Sequence, residues 1–394
     1  MKNREFMILA GALITVMLGF GMVIPIFPFY IENLGAGGTE LGLLTATSAL
    51  LEFVFGPMWG RVSDRRGRKP VLMIGLFGYA VSTFLFGIST RLWMLFASRA
   101  LSGVLSSATI TSAMAYVGDV TLPEDRGDGM GKIGAAMALG LMLGPGLGGW
   151  LAGPSLSRPF FIAAGLSLLA LLLVGFLLPE SVRLDSSRSE MGRGMLWQAA
   201  LGPTGILFFL IALFSFALTN FESIFGLYAL ERFSFSPDQV GTVLMVVAVV
   251  STIGKALLTG PVTRKWGEAA TIKVSLLAGS IGFLVLLLAW DFTTVLVTTG
   301  LFIISKTLLR PATLALISKN SSRAQGAVMG LSNSFMSLGR IVGPIWAGFV
   351  FDLNPLYPYL SGSAFMLIGF LISLVAVKAP GPKTIENMPA YDQL

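Results

Sequence analysis

Residues 140–150 read GLMLGPGLGGW and put five glycines and one proline inside a long apolar stretch. In an ordinary helix interior glycine costs about 1 kcal/mol and proline about 3 kcal/mol relative to alanine. A helix that keeps them needs a return in packing. Gly140, Gly144 and Gly148 fall four apart, on one helix face, where a second backbone can approach closely. Pro145 removes the hydrogen bond to residue 141 and bends the helix, which a membrane protein tolerates where neighbours or water re-satisfy the backbone. The stretch therefore reads as the packing face of a transmembrane helix, with gating as a second role.

Composition agrees. Of 394 residues, 54% are hydrophobic and 12% charged, the mean hydropathy is +0.81, and the apolar residues fall in runs long enough to cross about 30 Å of hydrocarbon. Cysteine and histidine are absent, which excludes disulfides, thiol catalysis, cysteine–histidine metal sites and histidine proton relays. Charge chemistry is left to Asp, Glu, Lys and Arg. The amino terminus, MKNREFMILAGALITVML, is basic and then apolar. Its apolar run continues to Pro28 without a cleavage pattern, so it reads as a first span and not as a signal peptide.

Spans are expected near 6–30, 40–61, 70–90, 92–118, 130–153 and 159–179, then near 200–229, 238–260, 271–290, 293–318, 326–351 and 357–378. Nineteen of the 27 Lys and Arg fall in the termini and the even-numbered breaks, so both termini are expected on the cytoplasmic side of a cell membrane. The net charge of +7 follows from that bias and needs anionic lipid, not nucleic acid, as its partner. The longest polar break, Glu180 to Gly194, separates two sets of six spans. Expected units are an N-terminal half (1–180), a linker (181–198), a C-terminal half (199–379) and a tail (380–394).

The halves echo each other. Gly60, Val62, Arg65 and Gly67 are matched 200 residues later by Gly260, Val262, Lys265 and Gly267. At an offset of 199, Gly140, Gly144, Pro145 and Gly149 are matched by Gly339, Gly343, Pro344 and Gly348. Two matches at nearly one period imply a transporter of two parallel-related halves with a pathway between them. The fold class is an all-α integral membrane protein, twelve transmembrane helices in two six-helix pseudo-symmetric halves.

These residues resemble the major facilitator superfamily and, within it, the twelve-span drug/proton antiporters. Gly60-Arg-Val-Ser-Asp64-Arg65-Arg-Gly67-Arg68-Lys69 resembles the signature between spans two and three. Arg99 and Gly103 resemble the fourth-span signature, and Gly140 to Gly149 the fifth-span signature that separates exporters from symporters. Gly19, Pro25 and Pro28 resemble the first-span signature. FESIFGLYALERFSFSP around Glu222 and the segment from Arg310 are similar to Gram-positive multidrug efflux pumps for fluoroquinolones and lipophilic cationic dyes. The resemblance implies proton-coupled export of lipophilic, often cationic drugs from the bacterial cytoplasm by alternating access, as a monomer, with a proton gradient and no cofactor. One departure is Lys306-Thr307, where an acidic residue is expected before Arg310-Pro311. It counts against two-carboxylate coupling and against a preference for cations.

An ionisable group at membrane depth is a functional candidate because burying it costs about 2.5 to 3.5 kcal/mol even on a mild insertion scale. Glu222 and Glu52 are the proton-coupling candidates, the alternatives being ion pairs of Glu222 with Lys306 or Arg310 and of Glu52 with Arg99. Arg99 is expected to orient carboxylates or the field of the cavity. Lys255 is expected to reach the headgroups, and Arg340 stands where the first half has Leu141. Phe216, Phe221, Phe225, Tyr228, Lys306, Arg310, Asn333 and Phe335 are expected around Glu222 in the substrate cavity. Gly60, Asp64, Arg65, Gly67 and Arg68 read either as a charge-paired cytoplasmic latch or as plain anchoring. A narrow exporter of tetracycline, a metabolite or a lipid would share the same motifs and differ only in the cavity. An enzyme or receptor would want a nucleophile constellation, a metal cluster or a soluble domain, and no phosphate-cradling loop points to ATP.

Overall fold

Two glycines 200 positions apart make the same turn. Gly67 has φ 96° and ψ 158°, Gly267 has φ 74° and ψ 164°, a conformation that side chains with a Cβ avoid. Each ends one helix and starts the next, so the repeat seen in the sequence is a repeat of backbone conformation. The computed structural model describes residues 3–122, 125–153, 155–181, 205–320 and 325–377, and every regular element among them is helical. The linker from residue 182 and the tail 380–394 lie outside the described residues.

Among the described residues, eleven helices are long and apolar enough to cross a membrane, and the turn at Gly267 divides the longest, Pro237–Leu286, in two. The first half comprises α1 (Arg4–Glu32), α2 (Gly38–Arg66), α3 (Arg68–Gly87), α4 (Leu92–Val120), α5 (Arg126–Leu151) and α6 (Arg158–Leu177). The second comprises α7 (Gly205–Phe233), α8 (237–266), α9 (268–286), α10 (Phe292–Lys319), α11 (Gln325–Leu353) and α12 (Tyr357–Ala376). Twelve spans are therefore present at the expected places, several running about a turn further into their polar ends. Two interruptions have proline at their root. The chain tightens into a 3-10 turn at Ile24–Ile26, and α10 breaks after Thr307, whose carbonyl finds no N–H on Pro311.

Packing repeats with the sequence. α1 lies along α5 as α7 lies along α11, and α3 along α4 as α9 along α10. The glycines of the opening stretch explain the first pair. A Cβ added to Gly144 would stand 2.6 Å from the Cα of Gly21, and one at Gly140 would stand 2.9 Å from the Leu18 nitrogen. At Gly148 it would fall on the Met22 carbonyl. The stripe seats α1 inside one half, so its first task is packing.

The other face of α5 crosses to the second half. A Cβ at Gly241 of α8 would fall on the Pro145 carbonyl, 3.0 Å from the Gly149 Cα. A Cβ at Gly42 of α2 would fall on the Pro344 carbonyl of α11, 3.4 Å from the Gly348 Cα. The two seams, α5 with α8 and α2 with α11, are thus related by the 199-residue offset. Asp352 of α11 also accepts from the Gly38 nitrogen at 2.8 Å, the Thr39 nitrogen at 2.9 Å and the Thr39 hydroxyl, capping α2 from the opposite half. Trp150 Nε1 donates to Thr242 Oγ1 at 3.2 Å. These contacts run from the end away from the Arg61–Lys69 cluster towards the middle of the bundle. Beyond it, the halves of α2 and α8 nearer that cluster expose Phe53, Val54, Met58, Ile253 and Leu257.

The two glycine faces separate in their effects. Gly144→Leu should overpack α1 against α5 and lower stability on the order of 3 kcal/mol, read by thermal unfolding. Gly241→Ala should leave that midpoint close to the parent's while wedging the α5–α8 seam. A single cysteine introduced at position 242 should then label faster from the closed end, and an unchanged labelling rate would contradict the seam.

Candidate functional site

Glu52, Lys306 and Arg340 stand at the middle of their helices. Glu52 is 14 residues from either end of α2, and Lys306 is 14 residues from Phe292 and 13 from Lys319. Arg340 is 13 residues from Leu353. Glu222 lies 11 residues before Phe233, roughly 16 Å along the axis at 1.5 Å per residue. Its side chain is exposed, and it interacts electrostatically with Lys306, Arg340 and Lys255. α7, α8, α10 and α11 thus bring one carboxylate and three basic side chains to a common site.

Lys306 is the buried member. It is 3% exposed, with Nζ 4.0 Å from the ring centre of Phe302 and 5.1 Å from that of Phe221. Its ammonium has no hydrogen-bond partner. Aromatic faces hold a cation by the ring quadrupole, but they satisfy none of its three donors. Arg310 is exposed on the same helix and interacts with Arg340. Lys255, expected to reach the headgroups, instead interacts with both Glu222 and Arg310.

Glu52 and Arg340 meet across the halves, Oε2 to Nη2 at 3.6 Å, with both side chains partly exposed. This explains the arginine for which the first half has Leu141. The expected alternative partner, Arg99, interacts with Glu52 electrostatically without pairing with it. Its guanidinium lies 3.8 Å over the Phe27 ring, in a cavity of the first half lined also by Phe86, Phe160, Tyr79 and Ser102. Its Nε is buried without a hydrogen-bond partner.

The aromatic candidates divide. Phe221 lies against Lys306, and Phe216 is half-buried edge-on to Phe365 at 4.7 Å. Phe225 and Tyr228 are buried in packing, Tyr228 against Tyr359 at 4.4 Å, so in this conformation they do not face the space before Glu222. Phe335 stacks on Phe208 at 5.6 Å, and Asn333 is exposed on α11.

The Asp64 cluster ties one half together. Arg68 reaches Asp64 Oδ1 at 2.5 Å and Asp119 Oδ2 at 2.7 Å, using two arms of one planar guanidinium. Glu180 accepts from the nitrogens of Arg68 at 2.7 Å and Lys69 at 3.2 Å, capping α3. Arg65 is exposed, and Gly60 faces Thr111 of α4 at ordinary distance. All of these partners belong to the first half. Sequence reasoning missed Asp119 and Glu180, both acidic residues just where an apolar run ends.

The second half carries the same bridge with its sign reversed. Glu268 stands 200 positions after Arg68 and Lys319 200 after Asp119, and Lys319 Nζ meets Glu268 Oε1 at 2.5 Å.

Comparison with known proteins agrees with this architecture. The sequence model described as Major Facilitator Superfamily matches residues 9–306 and again 207–390. Multidrug resistance protein 1 of Bacillus subtilis (strain 168) is 33% identical over 380 residues, covering 96% of this chain and 97% of that one. Multidrug resistance protein 2 of the same organism is 32% identical over 381 residues, covering 95% of each. Quinolone resistance protein NorA of Staphylococcus aureus (strain COL) is 26% identical, covering 98% of this chain and all of its own. Among solved structures, the nucleoside transporter NupG superposes with a TM-score of 0.79 at 15% identity, covering 96% of this chain and 100% of that one. A bacterial homolog of the human lysosomal transporter Spinster, inward-facing and unoccupied, gives 0.78 at 15%, covering 95% and 96%.

The two ion pairs should differ in weight. Arg68→Lys keeps the charge and loses the fork, which should cost about 2 kcal/mol in thermal unfolding. Arg340→Gln, at a long and partly exposed pair, should cost less than about 1 kcal/mol. Equal losses would contradict this assignment.

Proposed function

We propose that this chain, which belongs to the Major Facilitator Superfamily, exports lipophilic drugs from the cytoplasm in exchange for protons, with Glu222 as the group that carries the proton. The observation that carries the reading is a carboxylate exposed at mid-bundle beside Lys306, Arg340 and Lys255. Likeness along the whole chain to proteins named for multidrug and quinolone resistance supports the substrate class. The basic loops support a cytoplasmic open end and, with it, cytoplasmic termini. The conformation described is then inward-facing, closed outside by the Gly42–Pro344 and Gly241–Pro145 seams.

In that state Glu222 is reached from the cytoplasm, where its proton leaves and a drug enters. Closing the inner mouth requires the outer seams to part, the Asp352 cap on α2 to release and the Glu52–Arg340 pair to rearrange. A carboxylate facing basic groups and one that has taken up a proton have different electrostatic energies in the two states, and that difference is what couples the gradient to the motion. Glu52 follows the motion through Arg340 and is the second coupling candidate. Arg68, Asp64 and Asp119 keep the inner ends of α2, α3 and α4 rigid, which fits a latch surface that engages the second half when the mouth closes. Arg99 sets the field in the first half. The pathway lies between the halves of one chain, so a monomer suffices, and the proton gradient supplies the energy without a cofactor.

The test is export of norfloxacin, a fluorescent quinolone, from proteoliposomes under an imposed pH gradient. Wild type should show gradient-driven transport, and Glu222→Gln should lose it by at least about a hundredfold. Intact transport in Glu222→Gln would move the coupling role to Glu52, and no gradient dependence in the wild type would overturn the antiport reading.

A further inference from the structure

Four basic side chains interact in a chain across the second half: Lys306 of α10 with Lys255 of α8, Lys255 with Arg310 of α10, and Arg310 with Arg340 of α11. Two carboxylates accompany them, Glu222 of α7 and Glu52 of α2. With both carboxylates ionised the formal balance is still positive. Anchoring to anionic lipid explains basic residues at helix ends but not Lys306 or Arg340. Each lies roughly 20 Å from the ends of its helix, beyond the reach of a lysine or arginine stem.

These charges are also confined to one half. Lys255 and Arg340 correspond at an offset of 199 to Gly56 and Leu141, and Lys306 and Arg310, at the offset of 200 that aligns Asp119 with Lys319, to Ser106 and Ile110. The first half builds the same helix packing without any of them. Lys306 adds the second, independent observation. An ammonium 3% exposed with no hydrogen-bond partner holds unspent donors inside the bundle, and such a group is expensive unless something accepts from it. Phe221 and Phe302 cover its faces, and Phe216 offers a further apolar surface.

We infer that the central site takes its substrate by a negatively charged group, a carboxylate, sulfonate or phosphate on a lipophilic body, with Lys306 and Arg310 as its charged contacts and Phe216 against its apolar part. This rests on the exporter reading and refines its substrate class.

The test is calorimetric titration of the purified full chain in non-ionic micelles, against protein-free micelles, with three probes. They are 1-anilinonaphthalene-8-sulfonate, its uncharged parent N-phenyl-1-naphthylamine, and ethidium. The sulfonate should bind at least about tenfold tighter than either other probe, and Arg310→Gln and Lys306→Gln should each weaken it by about tenfold. Arg310 is exposed, so its variant keeps the test valid if the buried Lys306 change unfolds the chain. Displacement of the sulfonate by added phosphatidylglycerol would make a lipid headgroup the natural anion, and no displacement would make it a free solute. Ethidium or the neutral parent binding as tightly as the sulfonate overturns the inference, as does a sulfonate affinity unchanged in both variants. Gradient-driven norfloxacin export without a sulfonate preference leaves the exporter standing and removes the anion site. A sulfonate preference without such export does the reverse.

Discussion

Backbone-to-backbone approach at glycine is the constraint on which this architecture depends. Where α5 meets α8 and α2 meets α11, a proline carbonyl from one half occupies the place of a side chain that Gly241 or Gly42 lacks. Any Cβ at those positions would hold the halves apart. The same helices carry a second set of glycines, Gly140, Gly144, Gly339 and Gly343, that seat α1 and α7 within their own halves. One helix thus presents one face to its own half and another to the opposite half, and the prolines at 145 and 344 lie where the two meet. On the proposed exporter reading, the conformational change parts two small symmetric seams while each half keeps its own packing.

Symmetry governs the packing, and departures from it mark the chemistry. Turns at Gly67 and Gly267, seams at Pro145 and Pro344, and bridges at Arg68–Asp119 and Glu268–Lys319 all obey an offset of 199 or 200 residues. The bridges keep position and exchange sign, as expected if what matters is a satisfied pair at the helix end and not which partner is basic. By contrast, Glu222, Lys306, Arg310 and Arg340 correspond to uncharged positions, Ile24, Ser106, Ile110 and Leu141. A scaffold of two similar halves has been given one charged wall.

Much of this was legible in the sequence because it depends on local pattern. Apolar runs of spanning length fix the helices, the Lys and Arg bias distinguishes the two ends, and the glycine and proline matches reveal the repeat. The eighth and ninth spans join directly through Gly267 with no loop between them, and Gly267 was readable as a turn through its match to Gly67. What was not legible depends on which surfaces meet. Glu52 finds Arg340 on the other half, 288 positions away, and only in a conformation closed at one end. Tyr228 is close to Glu222 in sequence, but six residues on a helix place it roughly 120° away round the axis, and it packs inward. The reversed bridge escaped a search for identical residues because it preserves the interaction and not the residue types.

The central claim is that one carboxylate, Glu222, trades its proton for a substrate. Proton exchange on binding tests this without transport. Norfloxacin added to the purified chain in a weakly buffered solution, with a pH indicator, should release on the order of one proton per molecule bound, and Glu222→Gln should release none beyond the blank. Release of the same size from Glu222→Gln would contradict the account.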